Sequence, residues 1–451
     1  MNTESNIPDR VNNWMKHSVT LKLISITILV LLLLIPSSMI KSIIEERETL
    51  SREAISEVSS KWANTQMIKG PILSIPMIYE LEKKEETVEI VRYFNILPDD
   101  LSVDGKINPE KLKRGIYEIV VYKSSLDLVG SFSFAQNPDP TNLKEIMWDQ
   151  AFLTIGISDL RGIKQDIIVD WGGKKIKAQP GSKITNIIPS GVTIDLPPLI
   201  EPSNKTLAFN FNLNLQGSEN LSFVPIGSTT DVNVESDWSS PSFNGNFLPN
   251  DRSVSDQGFT AQWKVLQLNR NFPQSWVGNQ YSRSLDDASF GVDLILPLDD
   301  YQKAMRSAKY AVMTIALTFL IFFLVEILHG RKIHAFQYTL VGLSLCLFYV
   351  LLISISEHSN FNLAYGISVT AIVTMISLYS LSVFKDKTIS MILVTVLCGV
   401  YGFLFVTLQL ADYALLMGAV GLTAILGATM YFTRNVNWFE LSNHKLNSQT
   451  Q

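Results

Sequence analysis

The stretch "LISITILVLLLLIPSSMI", residues Leu23–Ile40, decides the fold class of this chain. It contains no charged side chain, and an α-helix needs about 20 predominantly apolar residues to cross the hydrocarbon core of a bilayer. A cleaved signal peptide is the alternative interpretation. However, the run is longer than the usual ~7–15 apolar residues of a signal peptide, and no A-x-A cleavage site follows it. The sequence therefore predicts an uncleaved membrane anchor.

Five further apolar runs lie in the last third of the 451-residue chain and predict five more membrane-spanning helices. They cover Tyr310–Leu328, Tyr338–Ser354, Phe361–Phe384, Ile389–Leu410 and Tyr413–Phe432. The predicted fold is a multi-pass α-helical membrane protein with a large all-β domain, sandwich or barrel-like, inserted between the first transmembrane helix and the other five. Its predicted segments are a terminal segment (1–20), transmembrane helix 1 (21–40), an amphipathic stalk helix (41–64), the exported β domain (65–306), a five-helix transmembrane bundle (307–433) and a tail (434–451).

The short loops between the spans carry an uneven distribution of positive charge. Arg331 and Lys332 follow span two, and Lys385 and Lys387 follow span four, whereas the loops "EHSN" and "LAD" contain no Lys or Arg. Because cytoplasmic loops carry an excess of Lys and Arg, we expect both termini in the cytoplasm and residues 41–306 on the outer side. The cations that depart from this pattern, at the outer ends of spans one and two, are Lys41, Arg47, Lys303, Arg306 and Lys309.

The β-domain prediction depends on a change of hydrophobic period. In "KTLAFNFNLNLQG", residues 205–217, large apolar side chains alternate with Ala208 and three asparagines, which is typical of a strand with one buried face. In "DIIVDWGGKKIKAQPG", Gly172 and Gly173 predict the turn of a β-hairpin. Before this region, apolar residues recur at helical spacing in residues 41–64, which predicts the stalk.

Histidine and cysteine are missing from the polar region. The histidines are His17, His329, His334, His358 and His444, and the cysteines are Cys346 and Cys398, so none lies in residues 41–306. A Ser-His-Asp or Cys-His nucleophile, a disulfide and a His- or Cys-ligated zinc site are therefore excluded there. We expect no enzymatic activity, no cofactor and no metal. A carboxylate pair or a Ser-Lys dyad carries no spacing signature and stays open.

One acidic residue lies well within a predicted span. Glu326 falls near the cytoplasmic end of span two. An intramembrane acid is a candidate functional residue. The structural interpretation is that Glu326 reaches the membrane interface and meets Arg331 or Lys332. We favour the structural interpretation because no second intramembrane ion supplies a proton relay.

The stretch "SDWSSPSFNGNFLP", residues 236–249, has the composition of a surface loop but carries Trp238, Phe243 and Phe247. These aromatic side chains either staple the loop to the core or form a contact patch for a glycan, lipid or protein. We favour the staple, because most large aromatic residues of β domains are buried. Arg270 and Trp276, in "NRNFPQSW", form a second candidate cluster for a cation–π or ligand contact.

Several long segments resemble the CreD family of bacterial inner-membrane proteins. They are "LLIPSSMIKSIIEER", "SKWANTQMIKGPILSIP", the run from Pro225 to Trp276, and "GVDLILPLDDYQKAMRSAKYAVMTIALTFLIFFLVEIL". The resemblance covers most of residues 20–440. It implies an inner-membrane protein linked to cell-envelope integrity and envelope stress, including responses to cell-wall-active antibiotics and certain colicins. It implies no enzymatic activity, cofactor or catalytic residue.

The predicted function is support of the envelope by non-enzymatic binding through the exported β domain. Handling of a lipid or other hydrophobic envelope component is one alternative, and hydrolysis of envelope glycans or peptides is a second. The expected partners are the lipid bilayer and an envelope protein, glycan or lipid. A net charge of −5 without a basic stripe predicts no nucleic-acid partner. The sequence does not predict an oligomeric state.

Overall fold

The computed structural model describes residues 19–83, 86–133, 138, 140–199, 206–296, 300–328, 333–410 and 413–434. Contacts between residues divide the chain into two units. The membrane unit comprises Met1–Leu50 and Leu298–Gln451, and the β-sheet unit comprises Ser51–Pro297. The β-sheet unit therefore begins within the predicted stalk and ends earlier than the predicted boundary at residue 306.

The first helix, α1, runs unbroken over Val19–Trp62. The predicted anchor and the predicted stalk thus belong to one helix, and only their composition separates them. This helix contains no glycine and a single proline, Pro36, within its apolar part. Proline is tolerated in membrane helices because neighbouring groups satisfy the freed backbone carbonyl.

The other helices are α2 (Ser282–Asp287), α3 (Asp300–Lys309), α4 (Ala311–Leu328), α5 (Ala335–Ser356), α6 (Phe361–Phe384), α7 (Lys387–Gln409) and α8 (Ala414–Thr433). Among the described residues, α1, α5, α6 and α7 are long and apolar enough to cross a membrane. The α3–α4 pair, bent by 44°, gives a fifth span if it is counted as one, and α8 contains a shorter apolar helix, Leu416–Tyr431. Several apolar helices are therefore confirmed, while the total of six spans stays a prediction.

The membrane unit has its own aromatic core. The ring of Phe348 on α5 lies 5.4 Å from Tyr365 on α6 and 4.8 Å from Tyr401 on α7. Gly342 on α5 faces α1, where an added Cβ would collide with the side chain of Leu33. A small residue at this point lets the two helices approach closely. Glycine at 342 therefore keeps the N-terminal helix against the bundle.

The β-sheet unit contains two sheets. The strands are β1 (Gln66–Lys83), β2 (Glu86–Ile96), β3 (Asp100–Arg114), β4 (Tyr117–Phe132), β5 (Leu143–Ile146), β6 (Phe152–Ile157), β7 (Ile168–Trp171), β8 (Lys174–Lys177), β9 (Gln179–Pro180), β10 (Gly191–Asp195), β11 (Leu207–Ser218), β12 (Asn220–Phe223), β13 (Thr229–Ser236), β14 (Pro241–Gly245), β15 (Asp251–Ser255), β16 (Gly258–Leu266), β17 (Ser275–Val277) and β18 (Phe290–Leu294). The first sheet has the order β14-β18-β12-β1-β6-β10-β9, with β2, β5 and β17 attached through β1 and β2. The second sheet has the order β15-β16-β13-β3-β4-β11-β7-β8.

One apolar core lies between the inner faces of the two sheets. Trp263 on β16 of the second sheet packs 5.5 Å, ring to ring, from Phe290 on β18 of the first. Face-to-face packing of this kind, with alternate residues pointing inward, is that of a β-sandwich. The β-sheet unit thus has the predicted architecture.

Local patterns in this unit were predicted correctly where the alternation is strict. Along β11, Phe209, Phe211 and Leu213 are buried while the intervening asparagines face outward. The predicted hairpin is formed by β7 and β8, and both turn glycines have positive φ, 56° and 88°, as a type I′ turn requires. Strand β16 ends at Leu266, where a 3₁₀ turn follows.

A hydrogen-bonded node joins the C-terminal end of α1 to the sheets. Asp159 accepts hydrogen bonds from the backbone N–H of Asn64 at 2.9 Å and from Nη2 of Arg161 at 2.6 Å. The same guanidinium donates to the carbonyl of Ser60 at the end of α1. The bonds from Arg161, helped by that from Asn64 and opposed by burial, lower the pKa of Asp159 to about 2. The node therefore depends on an ionised carboxylate.

The lowered pKa predicts a dependence of stability on pH. A carboxyl group whose pKa falls on folding stabilises the native state fully above its ordinary value of 3.8 and loses that contribution as the pH falls toward 2. With solvent screening, the contribution is about 1–2 kcal/mol. Asp159→Asn should lower the melting temperature of the full-length protein at neutral pH, and its loss of stability below about pH 4 should be shallower than that of the parent.

Asp166→Asn is the matched control, because Asp166 makes an exposed ion pair with Lys177. Surface pairs of this kind contribute about 0–1 kcal/mol. Parallel pH profiles for the parent and Asp159→Asn would contradict the role assigned to the node.

Candidate functional site

Glu326 lies near the end of α4 with only 4% of its side chain exposed. One carboxylate oxygen accepts a hydrogen bond from the backbone N–H of Ile333 at 3.0 Å, and the other accepts one from the hydroxyl of Tyr338 at 3.1 Å. Lys22 on α1 forms an ion pair with it. One buried carboxylate thus connects α1, α4 and the start of α5.

This geometry differs from the sequence prediction. Glu326 was expected to reach the interface and meet Arg331 or Lys332, and those two residues lie outside the described part of the chain. Instead, Glu326 is buried, because three donors around it replace water. The sequence reasoning missed Lys22, which precedes the first apolar run. Because a chain that crosses a membrane twice returns to its starting side, a cation at the start of the first apolar helix and an acid at the end of the next can meet at one membrane face.

The pair predicts a non-additive response to substitution. Lys22→Met leaves the carboxylate buried with two neutral donors, so we expect a loss of about 1–3 kcal/mol, less than the full cost of breaking a buried pair because Lys22 is partly exposed. Adding Glu326→Gln removes the uncompensated charge, and the amide oxygen still accepts a hydrogen bond. The double variant should therefore melt above Lys22→Met in detergent, and Lys41→Met should melt with the parent. Strict additivity of the two substitutions would refute the coupling.

The aromatic stretch proves to be partly a strand. Residues 236–249 were predicted to be a loop, but Pro241–Gly245 within them form β14, which pairs with β18 at the edge of the first sheet. Isolated Gly and Ser residues hid the strand in the sequence. The pairing draws Phe243 toward the core, where its ring lies 5.7 Å from Phe259 and 5.8 Å from Trp263.

Trp238 and Phe247 flank this strand and are also half-buried against the core. The indole N–H of Trp238 donates to the carbonyl of Ile295 at 3.1 Å. The ring of Phe247 packs edge-on against Phe290 at 6.0 Å. Leu248, by contrast, is 63% exposed. These contacts favour the staple interpretation, in which the three aromatic residues fix the stretch to the sandwich.

A staple predicts a loss of stability on truncation. Phe243→Ala removes two edge-to-face ring contacts and half-buried apolar area, so we expect a cost of about 2–3 kcal/mol, somewhat less than for fully buried aromatic residues. Leu248→Ala, in the same stretch but solvent-facing, should change stability by at most about 0.5 kcal/mol. Thermal unfolding of the two variants distinguishes staple from contact patch. Equal melting of Phe243→Ala and the parent would support the patch.

Arg270 and Trp276 belong to a second cluster. Arg270 is buried and donates to the carbonyls of Phe272 and Ile226 at 2.8 and 3.2 Å, and its guanidinium lies 4.2 Å from the centre of the Phe272 ring. Burial lowers its pKa to about 10. The indole of Trp276 donates to the carbonyl of Gly278 at 3.0 Å. Arg270 thus makes a cation–π contact with Phe272, and these polar groups are used within the fold.

The outer face of the second sheet carries a feature that the sequence reasoning missed. Strand pairing aligns six polar side chains in one row across β11, β4, β3, β13, β16 and β15. The members of this polar row are Asn212, Asp127, Asp104, Asn233, Gln262 and Asp251. In the sequence, each of these residues is only one outward-facing position of an alternating strand. The row follows from the register of six strands, which no short motif encodes.

Four members of the polar row, Asp104, Asp127, Asn233 and Gln262, line a groove of about 460 Å³. Asn212 donates to Asp127 at 2.7 Å, and Asn233 donates to Asp104 at 2.9 Å. Asp104 and Asp127 lie directly opposite each other. Like charges in this arrangement destabilise a sheet, and such local conflicts concentrate at functional sites. Amide and carboxylate groups can hydrogen-bond hydroxyl, amide or ammonium groups of a partner.

No group of three or more His, Cys, Asp or Glu side chains within the described residues is arranged to hold a metal ion. The polar row accordingly presents hydrogen-bonding groups along a line and no convergent ligand set.

The architecture defines an apolar helical membrane unit with a large β-sandwich inserted after its first helix. The family model for "Inner membrane protein CreD" matches residues 18–439. The chain is 33% identical over 442 residues to inner membrane protein CreD of Escherichia coli (strain K12), covering 97% of both chains. The chain therefore belongs to the CreD family of inner-membrane proteins, as its resemblance had implied.

Proposed function

We propose that this inner-membrane protein supports cell-envelope integrity and the response to envelope stress by binding, without catalysis. Membership of the CreD family supports the envelope role. The lack of His and Cys in residues 41–306 supports the absence of His- or Cys-dependent nucleophilic catalysis there. Its partners are the lipid bilayer and an envelope protein, glycan or lipid.

The observation that carries the binding role is the polar row on the second sheet. Polar side chains are expected on the solvated face of a sheet. This face in addition aligns amides and carboxylates beside a groove and tolerates two opposed carboxylates, Asp104 and Asp127. Such a surface fits a partner that offers several hydrogen-bond donors in a line.

The proposed orientation places both termini in the cytoplasm and residues 41–306 in the periplasm, with six spans. The charges of the short loops support this orientation. Reporter fusions after Asp300 should indicate export, and fusions at Lys332, Lys387 and Lys445 should indicate a cytoplasmic position. A cytoplasmic signal after Asp300 would reverse the layout, because all the short-loop charges lead to the same orientation.

The binding role is tested on the polar row. Asn233→Ala combined with Gln262→Ala removes two facing amides from an exposed surface, so the free energy of unfolding should change by at most about 0.5 kcal/mol for each. We expect this variant to accumulate normally but to restore resistance to cell-wall-active antibiotics poorly in a strain that lacks the protein.

Gln150→Ala combined with Gln179→Ala is the matched control, because both amides are exposed and lie outside the polar row. It should restore resistance as well as the parent does. If the row variant also restores full resistance at equal abundance, the proposal that the protein binds its partner through this face is wrong.

A further inference from the structure

Along the chain, helix α3 lies between the apolar run of α1 and the apolar helix α4. It has two unlike faces. It ends at Lys309, and α4 begins at Ala311 at an angle of 44°. Ala304 and Ala308 on one face are buried in the apolar core shared with α1 and the bundle. Through this face, α3 packs against the membrane-spanning helices at the end where the chain passes into the β-sheet unit.

The other face of α3 carries three cations. Lys303, Arg306 and Lys309 follow one another at i, i+3 and i+6, which places them on one side of a helix. None of them has a carboxylate partner within the part of the chain that the structure describes, and Lys303 only lies over the ring of Phe361, at 5.5 Å. They are the same cations that depart from the charge pattern of the short loops.

An acidic residue of the bundle that contacts α3 is already engaged. Glu357, at the end of α5, accepts a hydrogen bond from Tyr301 at 3.2 Å and lies 3.7 Å from Nε of Arg47. It therefore fixes α3 to α1 and α5 without neutralising the three cations. Within the described residues, the three cations therefore stay available to an external anion.

We propose that Lys303, Arg306 and Lys309 bind the phosphate of an anionic phospholipid headgroup. The single residue Tyr310 separates these cations from α4, whose 18 predominantly apolar residues fit the hydrocarbon core. The cations thus lie at headgroup level, where an amphipathic helix with a basic face attracts anionic lipid. Lys41 directly follows the apolar run of α1. In the topology proposed above, it lies at the same membrane face as these cations. The short loops on this side of the membrane carry no Lys or Arg. Headgroup binding explains why cations are nevertheless present at this end of the spans.

The test uses the full-length protein in neutral detergent. Phosphatidylglycerol, phosphatidylcholine and inorganic phosphate are titrated separately, and the rise in melting temperature gives an apparent dissociation constant for each. The parent should bind phosphatidylglycerol most tightly. Replacing all three cations by Gln (Lys303→Gln, Arg306→Gln, Lys309→Gln) should weaken that binding on the order of 100-fold, since each cation near a headgroup contributes about 1 kcal/mol.

The matched control removes three positive charges from the β-sheet unit, Lys164→Gln, Lys174→Gln and Lys175→Gln, and should bind like the parent. If the triple α3 variant does not fold, Lys309→Gln, at the exposed end of the triad, should weaken binding about five-fold, and Lys309→Arg should retain it. Unchanged affinity in the α3 variants, or equal affinity of the parent for phosphatidylcholine, overturns the proposal. An equal response to inorganic phosphate overturns the lipid assignment.

Discussion

The requirement that every buried backbone N–H and C=O group find a partner governs both units of this protein. In hydrocarbon no water can satisfy them, so residues in apolar runs must form helices. The polar insert faces a different form of the same requirement. It has no disulfide and must bury its apolar side chains between two sheets whose strands pair through hydrogen bonds. Strand β1 alone pairs with β2, β5, β6 and β12. The long strands β1, β3 and β4 follow from this, because each additional paired residue satisfies two backbone groups and every second one adds a side chain to the core.

Buried charges in both units follow the same rule at the level of side chains. Glu326 is surrounded by an ion pair, a hydroxyl and a backbone N–H. Lys69 on β1, only 5% exposed, donates to the carbonyl of Ile187 and forms an ion pair with Asp286. Arg270 is held by backbone carbonyls and an aromatic ring. Because an unpaired buried charge is strongly destabilising, each of these contacts fixes the position of distant chain segments. These contacts favour a structural role, also for Glu326 and Arg270, the two of these residues that the sequence indicated as functional candidates.

Sequence reasoning succeeded where neighbouring residues determine the local structure. It failed where contacts between residues far apart in the sequence determine it. The alternation in β11 and the Gly172–Gly173 turn are local, so period and turn chemistry predicted them. The partner of Glu326 is Lys22, 304 positions away, and no local pattern connects them. The same limit applies to β14, whose short sequence resembles a loop until β18 pairs with it. The polar row required the register of six strands at once, and a shift of one residue in any strand would move its member to the other face.

Charge distinguishes the two surfaces to which we assign contacts. The polar row presents three carboxylates, Asp104, Asp127 and Asp251, and the neighbouring cation Lys106 pairs with Glu235 at 3.2 Å. Such a face repels a phosphate group, so anionic phospholipid binds poorly there, whereas α3 offers three cations to the same group. Handling of an anionic lipid by the outer face of the second sheet is therefore electrostatically unfavourable. The sheet is better matched to hydroxyl, amide or ammonium donors, and the membrane unit to phosphate, so the partners that we propose for the two units differ in charge.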